Sequence, residues 1–529
     1  MANCFKHEIS SQKLMADKNS AIAATKYGRI EGNYEDGQYV FRGIPYAASP
    51  VGKLRWQAPD PVTPWSGIRP AKKFGPIAPQ NPMLGMEALA ELAVTEPQSE
   101  DCLYLNVWTQ GLDMHRRPVM VWIHGGAFIV GSGSQEMFLG NTLVSRGDIV
   151  LVTINYRLGA LGFMNLKEIT KGRIPATGCE GLLDQIAALS WIRENIEAFG
   201  GDPGNITVFG ESSGAMSIGA LMGMPRAKGK FHKAILESGG AGTVGLLDDS
   251  EAMADRFLDI LGLKGSDAAA LYSLNEQQIL SAQQNLNAVM HKEDNRITPF
   301  QPVVDGVVMP EIPIRAIEKG AASGIPTLAG TNRDEFKLFN AIDWSFRKLD
   351  EGGAVRRLGS ILPGEIVLDV IAAYRKARSR RGEDTGIGEV LTAIQSDYMF
   401  RLPVLRLVRA QCANGQPAYN YLFEWQSPVM QGKLGACHTL EIGFVFGNYD
   451  EKFCGSGPDA DALSQKMQDA WTAFARTGNP GCESLGRWEP YGDRRSVMVL
   501  DRDCRLETAP YEEERRAWDG IDMPYTKPI

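Results

Sequence analysis

The stretch from Asn205 to Met216, N-I-T-V-F-G-E-S-S-G-A-M, constrains the fold of this chain more than any other. Residues 206–209 form a β-branched and aromatic run that predicts a buried strand, and residues 213–221 form a small-residue and apolar run that predicts a helix. The G-E-S-S-G between them matches G-x-S-x-G, the pattern of a tight strand-to-helix turn that presents a nucleophilic serine. Ser212 is therefore the candidate nucleophile. The alternative, an ordinary Gly/Ser loop, has to be judged from the rest of the chain.

The predicted elements around this turn follow the order of an α/β protein. Strands are predicted at 103–108, 119–123, 149–154, 206–209, 234–236, 327–329 and 419–425, and amphipathic helices at 181–199 and 461–474. A strand, a helix and the strand before Ser212 make a βαβ unit, which is typical of a parallel sheet. The pattern thus predicts a large, mostly parallel central sheet flanked by helices.

One domain accounts for most of the length. Residues 1–24 are predicted to be disordered, and residues 25–529 to form a single domain that opens with an antiparallel edge hairpin. Helical insertions are expected around 240–325 and 336–415 and should form a cap over the active site. The apolar, methionine-containing segments 79–98 and 286–300 suggest a hydrophobic, adaptable pocket, although those methionines could equally belong to the core.

Charge and composition narrow the class of partner. The chain has 55 basic and 63 acidic residues, a net charge of −8, which argues against nucleic acid as a partner. The basic cluster at 375–381 is interpreted as a solvated helix end. There is no signal-peptide pattern and no run approaching the roughly 20 apolar residues of a membrane span, so we expect a cytoplasmic protein without membrane insertion.

The cysteines predict neither a disulfide framework nor a metal centre. All eight lie far apart, with no C-x-x-C pair and no Cys/His clustering at the spacing of zinc ligands. They are interpreted as buried thiols, and no metal or organic cofactor is expected.

A serine nucleophile needs a histidine base that is oriented by a carboxylate. Of the six histidines, the chain order serine, acid, histidine leaves His232, His291 and His438 as candidates. His438 is favoured because it lies in a small-residue loop between a predicted strand and an apolar run. For the acid, the strand at 327–329 leads into G-T-N-R-D-E, and the residues alone do not choose between Asp334 and Glu335.

An oxyanion formed during acyl transfer needs fixed N–H donors. The strand at 119–123 runs into H-G-G-A-F at 124–128, the H-G-G type of loop found in lipases and esterases. The occurrence of this loop and the G-x-S-x-G turn in the right order makes an ordinary glycine turn a poor explanation for either.

Taken together, these motifs closely resemble those of the type-B carboxylesterases, which include bacterial para-nitrobenzyl esterases, mammalian carboxylesterases and cholinesterases. The resemblance runs from residue 30 to about residue 490, and a bacterial member is expected. The matching text is F-R-G-I-P-Y-A at 41–47, S-E-D-C-L-Y-L-N-V at 99–107, H-G-G-A-F at 124–128, N-Y-R-L-G at 155–159, G-L-L-D-Q at 181–185, F-G-E-S-S-G-A at 209–215, L-E-S-G at 236–239, G-T-N-R-D-E at 330–335 and G-A-C-H-T-L-E at 435–441.

The resemblance implies an α/β-hydrolase fold and a Ser-His-Glu triad of Ser212, His438 and Glu335, and so favours Glu335 as the acid. It further implies an oxyanion hole of the Gly126, Ala127 and Ser213 amides. The expected activity is hydrolysis of small to medium neutral carboxylic esters, with amide or carbamate hydrolysis as the alternative and a non-catalytic binding protein as a remote one. The pairs Arg55–Glu100 and Arg157–Asp184 match family pairs that look structural.

Four departures from the family pattern accompany the match. Ser213 and Phe336 stand where the family usually has alanine and glycine, and Phe336 adds bulk near the pocket. Ala78 replaces the cysteine that secreted members bridge to the one matching Cys102, in agreement with a reducing compartment. No tryptophan occurs between residues 79 and 101, where cholinesterases bind quaternary ammonium, so choline esters are not expected to be preferred substrates.

Overall fold

The computed structural model describes residues 21–82, 96–294, 299–521 and 523. The strands within these residues are β1 (Ile22–Thr25), β2 (Gly28–Glu31), β3 (Asn33–Glu35), β4 (Gln38–Pro45), β5 (Ile68–Pro70), β6 (Tyr104–Thr109), β7 (Arg117–Ile123), β8 (Val150–Ile154), β9 (Gly201–Glu211), β10 (Lys233–Glu237), β11 (Gly245–Leu246), β12 (Val303–Val304), β13 (Thr327–Asn332), β14 (Ala418–Phe423), β15 (Ser496–Leu500) and β16 (Arg505–Thr508).

The α-helices connect and cover these strands. They span Asn141–Gly147, Gly159–Phe163, Glu180–Asn195, Ser213–Gly223, Leu247–Leu261, Ala268–Ser273, Glu276–Asp294, Pro313–Glu318, Phe336–Ile342, Glu351–Leu358, Gly364–Arg381, Ile387–Ser396, Leu402–Ala413, Ile442–Phe446, Glu451–Cys454, Pro458–Thr477 and Glu512–Arg516. A π-helical turn, Asp397–Arg401, joins two of them.

Eleven strands form one sheet in the order β3-β4-β6-β8-β7-β9-β10-β13-β14-β15-β16. The strands from β8 to β15 in this order are parallel to their neighbours, and the pairs at both edges are antiparallel. β1, β2 and β5 make a separate small sheet. The predicted sheet, large and mostly parallel, is confirmed.

Strand β7 illustrates why the sheet is buried on both faces. Val119, Val121 and Ile123 belong to one hydrophobic cluster, while Met120 and Trp122 belong to the other. Successive side chains of a strand point to opposite faces, so an uninterrupted apolar run of this kind requires cover on both sides. The helices Glu180–Asn195 and Ser213–Gly223 contribute to the first cluster, and Asn141–Gly147 and Pro458–Thr477 to the second.

The ends of the observed elements differ from the predicted ones by up to five residues in either direction. β1 begins at Ile22, three residues before the predicted boundary at 25, and residues 1–20 lie outside the described residues. The antiparallel pair β15 and β16 at one edge of the sheet was not predicted. Helices do occupy 247–318 and 336–413. Residues 83–95 of the predicted pocket segment 79–98 and residues 295–298 of the segment 286–300 lie outside the described residues.

Two buried ion pairs hold loops to this framework. Arg55 Nε lies 2.6 Å from Glu100 Oε2, and the Arg157 guanidinium lies 2.7 Å from Asp184, whose side chain is fully buried. Both predicted pairs are therefore present. The basic cluster forms the end of the helix Gly364–Arg381, where Arg381 pairs with Glu383 and Glu514. The seven cysteines among the described residues are free thiols, and four of them are buried.

Candidate active site

Ser212 lies in a sharp turn between β9, which ends at Glu211, and the helix that begins at Ser213. Its φ of 53° and ψ of −124° are unfavourable for a residue with a side chain. The turn is fixed from both sides, because Ser212 N–H donates to Glu237 O at 2.9 Å and Ser212 O accepts from Met216 N–H at 2.9 Å. Ser212 is only half-buried, whereas both of its neighbours are buried. Its hydroxyl is thus presented on a strained, rigid backbone.

The two glycines of G-E-S-S-G are required by close contact with the end of β7. A Cβ atom on Gly210 would lie 2.5 Å from Ile123 O, and one on Gly214 would lie 2.0 Å from the same oxygen. Real Cβ atoms do not approach an oxygen this closely, so only glycine fits at either position. The spacing in the motif therefore reflects packing of the turn against the neighbouring strand.

The loop 124–128 continues from that strand and adopts an unusual backbone. Gly126, Ala127 and Phe128 all have positive φ, at 111°, 54° and 62°. Successive residues of this kind turn their N–H groups toward a common point, as anion-binding loops do. Within the described ranges, the N–H groups of Gly126, Ala127 and Ser213 donate to no protein acceptor. The loop contacts the serine turn, since a Cβ on Gly125 would lie 3.2 Å from Ser212 Cβ.

His438 and Glu335 form a buried pair beside this turn. His438 lies in the loop after β14, Glu335 follows β13, and His438 Nδ1 is 2.6 Å from Glu335 Oε2. Glu335 Oε1 accepts hydrogen bonds from Ser238 Oγ at 2.6 Å and Asn332 N–H at 2.8 Å. These donors hold Glu335 in place, and its contact with Nδ1 orients the imidazole so that Nε2 is the nitrogen left to accept a proton.

The other ring nitrogen of His438 has a different neighbour from the expected one. Nε2 lies 3.1 Å from Glu211 Oε1, and among the described residues Ser212 Oγ makes no hydrogen bond to it. The structure thus brings His438 and Glu335 together but not His438 and Ser212 into hydrogen-bond geometry. Such contacts in enzymes without substrate are often long and shorten when substrate binds.

The two remaining histidine candidates differ in position. His232 Nδ1 accepts a hydrogen bond from Ile206 N–H at 3.0 Å. Ile206 precedes Ser212 by six residues of strand, about 20 Å at ~3.3 Å per residue. His232 therefore lies near the amino ends of the central strands, whereas Ser212 lies at their carboxyl ends. His291 belongs to the helix Glu276–Asp294, and its side chain lies outside the described residues.

Three further buried glutamates surround the pair, and the sequence did not single them out. Glu211, Glu237 and Glu441 are at most 2% exposed. Burial raises the pKa of Glu237 and of Glu441 to about 8, and burial together with neighbouring carboxylates raises that of Glu211 well above its usual value. Glu237 and Glu441 therefore tend to hold protons at neutral pH, and the pKa of Glu211 is shifted in the same direction. In the sequence, each of these glutamates stands within or beside an apolar run, and this pattern could have indicated that they are buried.

Aromatic rings cover the other side of His438. The Phe400 and Phe339 ring centroids lie 4.6 Å and 5.2 Å from the imidazole. Phe336, the residue that departs from the family pattern, is 5.1 Å from Phe339 and 6.0 Å from Phe400. These rings come from the helix Phe336–Ile342 and the π-helical turn, so the second helical insertion reaches the site.

No group of three or more His, Cys, Asp or Glu side chains that could hold a metal ion occurs in the described part of the chain. Similarly, among the helices within those ranges, none is long and apolar enough to cross a membrane.

The parallel sheet with a strained serine turn at the end of β9 defines an α/β-hydrolase. Residues 19–518 match the carboxylesterase family model. The chain is 38% identical to para-nitrobenzyl esterase of Bacillus subtilis over 502 residues, covering 94% of this chain and 98% of the relative. It is 36% identical to phenmedipham hydrolase of Pseudarthrobacter oxydans, covering 90% and 94% of the two chains. A solved carboxylesterase of Geobacillus stearothermophilus superposes with a TM-score of 0.84 at 37% identity, covering 94% and 100%.

This chain belongs to the carboxylesterase family. It is a carboxylic-ester hydrolase with the α/β-hydrolase fold, as the resemblance in its motifs predicted.

Proposed function

We propose that the chain hydrolyses carboxylic esters through an acyl-enzyme intermediate on Ser212. His438 takes the proton of Ser212 as its Oγ attacks the ester carbonyl, and Glu335 holds the imidazole in the required tautomer. The amides of Gly126, Ala127 and Ser213 stabilise the negative oxygen of the tetrahedral intermediate. His438 then protonates the departing alcohol, and water releases the acid by the same steps in reverse order.

The buried contact of 2.6 Å between His438 Nδ1 and Glu335 Oε2 carries this proposal. This pair lies beside Ser212, which is half-buried. The positive φ of Ser212 is the strained backbone typical of a nucleophile turn. His438 Nε2 faces Glu211 and not Ser212, so we propose that the contact between Nε2 and Ser212 Oγ forms when substrate binds. The mechanism requires Ser212 Oγ to take the place of Glu211 Oε1 as the partner of His438 Nε2.

The surroundings of His438 favour neutral ester substrates. The rings that pack against His438 are those of Phe339 and Phe400, and Phe336 packs against both of them. Apolar walls take up uncharged groups more readily than charged ones. Small to medium neutral esters are therefore the proposed substrates. The proposed location of the enzyme is the cytoplasm.

The test compares the purified enzyme with Ser212→Ala on short-chain nitrophenyl esters and on the matched nitroanilides. Ester turnover that is lost in Ser212→Ala supports the proposal, and residual turnover equal to that of the wild type would refute it. Faster turnover of the anilides than of the esters would favour amide hydrolysis as the main activity. A Ser217→Ala variant is the control, because Ser217 lies one turn further along the same helix and pairs with Gln185 at 3.1 Å.

A further inference from the structure

Gln80 is a buried glutamine whose side-chain amide holds one residue of the oxyanion loop, which we define as residues 124–131. The glutamine is 4% exposed. Gly131 N–H donates to Gln80 Oε1 at 2.8 Å, and Gln80 Nε2 donates to Gly131 O at 3.1 Å. The backbone N–H of Gln80 donates to Gln98 Oε1 at 2.9 Å, so the glutamine is itself held in place. Both backbone polar groups of Gly131 are therefore bound by a single planar amide.

Gly131 lies against the residues that carry the oxyanion donors. A Cβ atom on Gly131 would lie 2.6 Å from Gly125 O. Gly126 O accepts hydrogen bonds from Ile129 N–H and Val130 N–H, both at 3.0 Å. The oxyanion loop is thus one compact turn, and a shift of Gly131 displaces Gly126 with it.

The segment that contains Gln80 also contacts the first helical insertion. Asn81, the next residue, donates from Nδ2 to Leu280 O at 2.9 Å. Leu280 belongs to the helix Glu276–Asp294. Adjacent residues of one segment therefore bind a helix of the insertion on one side and Gly131 on the other.

The same helix reaches the oxyanion loop at a second point. Gln283, which is 2% exposed, accepts a hydrogen bond on Oε1 from Ala160 N–H at 3.0 Å. The preceding residue, Gly159, donates its N–H to Phe128 O at 2.7 Å. The oxyanion loop is thus held at Phe128 and at Gly131 by two segments that both contact this helix.

The backbone of the oxyanion loop needs such support. Gly126, Ala127 and Phe128 have positive φ values, which are unfavourable for residues with a side chain. A conformation of this kind persists only where the surrounding structure holds it. The N–H groups of Gly126 and Ala127 have to keep their positions while the negative oxygen forms, because their stabilising effect comes from being fixed in advance.

We propose that the Gln80 side-chain amide is a positioning group of the oxyanion hole, which fixes the N–H groups of Gly126 and Ala127 by holding Gly131. Gln80 acts through the loop and not on the reacting atoms. Its positioning role rests on the proposed function, since the spacing of these N–H groups matters only if an oxyanion forms. The glutamine lies outside the motifs that supply the triad and the oxyanion donors.

The first test is Gln80→Met, a side chain of similar length without the hydrogen-bonding amide. For a nitrophenyl ester, kcat and kcat/KM should fall together by about 10- to 100-fold, at or below the roughly 10²- to 10³-fold loss that follows removal of an oxyanion donor. A trifluoromethyl ketone, which forms a hemiketal oxyanion on the nucleophilic serine, should bind more weakly by the same factor. Wild-type kcat/KM and ketone affinity in Gln80→Met would overturn the inference.

The second test is Gln80→Glu, which regains the missing donor by protonation. Its carboxyl accepts from Gly131 N–H in either form, but only the protonated form donates to Gly131 O. Burial raises the pKa of a carboxyl, so the proton is gained as the pH falls from about 8 to about 5. The ratio of its kcat/KM to that of the wild type should therefore rise toward one over this range, whereas the ratio for Gln80→Met should stay constant.

A Gln80→Glu enzyme as slow as Gln80→Met at every pH would contradict the positioning role. Should Gln80→Met fail to fold, the pH dependence of Gln80→Glu alone decides, because a ratio that stays low and constant from pH 8 to pH 5 refutes the role and a rising ratio supports it.

Gln411→Met is the matched control. Gln411 is also buried, and its Nε2 donates to Ile325 O at 2.8 Å and to Thr327 Oγ1 at 3.1 Å, at the amino end of β13. Its substitution should lower Tm about as much as Gln80→Met does but leave kcat as in the wild type. An equal loss of kcat in the two variants would show that the effect of Gln80→Met is general destabilisation, and the positioning role would be wrong.

Labelling of Ser212 by an organophosphate separates the positioning role from the proposed function. Absence of label in the wild type contradicts the triad itself. A labelled Gln80→Met enzyme with wild-type kinetics contradicts only the role of Gln80.

Discussion

Glu335 Oε2 lies 2.6 Å from His438 Nδ1, and the neighbouring carboxylate, Asp334, points elsewhere. Asp334 pairs with Arg333 at 2.9 Å and accepts a hydrogen bond from Ala436 N–H at 3.0 Å. Two adjacent acids thus have separate neighbours, one facing the histidine ring and the other facing the loop in front of it.

Glu335→Gln should therefore abolish most of the activity. An amide in place of the carboxylate no longer fixes the tautomer or stabilises the imidazolium, and we expect kcat to fall by about 10³- to 10⁴-fold, as for the acid of other serine triads. The fall in kcat is measured by steady-state hydrolysis of a nitrophenyl ester. The control is Asp334→Asn, whose kcat should stay of the same order as that of the wild type. A large loss in Asp334→Asn with little in Glu335→Gln would show that the acid is Asp334.

Glu237→Gln should change how stability depends on pH. The carboxyl pKa is raised from 4.5 to about 8 by burial, so the folded state binds a proton that the unfolded chain releases over this range. Folded stability therefore falls as the pH rises from about 4.5 to about 8, by up to ~1.4 kcal/mol per pH unit for one group. An amide cannot ionise, and Gln can still accept from Trp471 Nε1, the donor that lies 2.8 Å from the glutamate.

Thermal melting of the wild type and of Glu237→Gln at pH 5.5 and pH 8 measures this pH dependence of stability. The Tm of Glu237→Gln relative to the wild type should rise between pH 5.5 and pH 8. Glu483→Gln, at an exposed position, should show the same Tm difference at both values. A Glu237→Gln variant whose Tm runs parallel to the wild type would mean that Glu237 is already ionised in the folded protein.

Gly214→Ala should destabilise the protein through a steric clash. Its Cβ would lie 2.0 Å from Ile123 O, a backbone atom of a central strand that cannot move aside. We expect a loss of about 3 kcal/mol, at the upper end of the cost of overpacking. Gly364→Ala, where nothing lies within 4 Å of the new atom, should leave Tm close to that of the wild type. Equal Tm values for both variants would contradict the packing described for the serine turn.

Asp184→Asn should also be strongly destabilising. Asp184 accepts three hydrogen bonds from Arg157, and its removal would leave a buried guanidinium without its counter-charge, at a cost of about 3–5 kcal/mol. Glu194→Gln breaks the exposed pair with Lys26, where solvent screening should leave stability almost unchanged. Urea denaturation of the two variants gives the comparison, and a similar midpoint for both would show that burial of the pair adds little.

The sheet and the serine turn could be predicted because their signals are local. A β-branched run, a G-x-S-x-G turn and an apolar helix lie within the sixteen residues 206–221, and each imposes its own backbone. The H-G-G loop was predictable for the same reason. In contrast, β16 (Arg505–Thr508) is a polar, mostly exposed edge strand with no apolar alternation, and only its pairing with β15 makes it a strand.

The contacts between distant segments could not be read from residues alone. Asp334 and Glu335 are adjacent and chemically alike, and only the backbone turn after β13 decides which one faces His438. The glutamates around the histidine come from three separate motifs, and their proximity depends on the order of β9, β10 and the loop after β14. Their raised pKa values follow from that assembly, since burial is its main cause.

Formation of an organophosphate adduct shows whether Ser212 is the nucleophile. The enzyme is inactivated with such a reagent, digested, and the modified peptide is identified by mass spectrometry, with Ser212→Ala treated in parallel. We expect one adduct per chain, on Ser212, formed in step with the loss of esterase activity and absent from the variant. Inactivation with the adduct on another residue, or full activity with Ser212 modified, would contradict it.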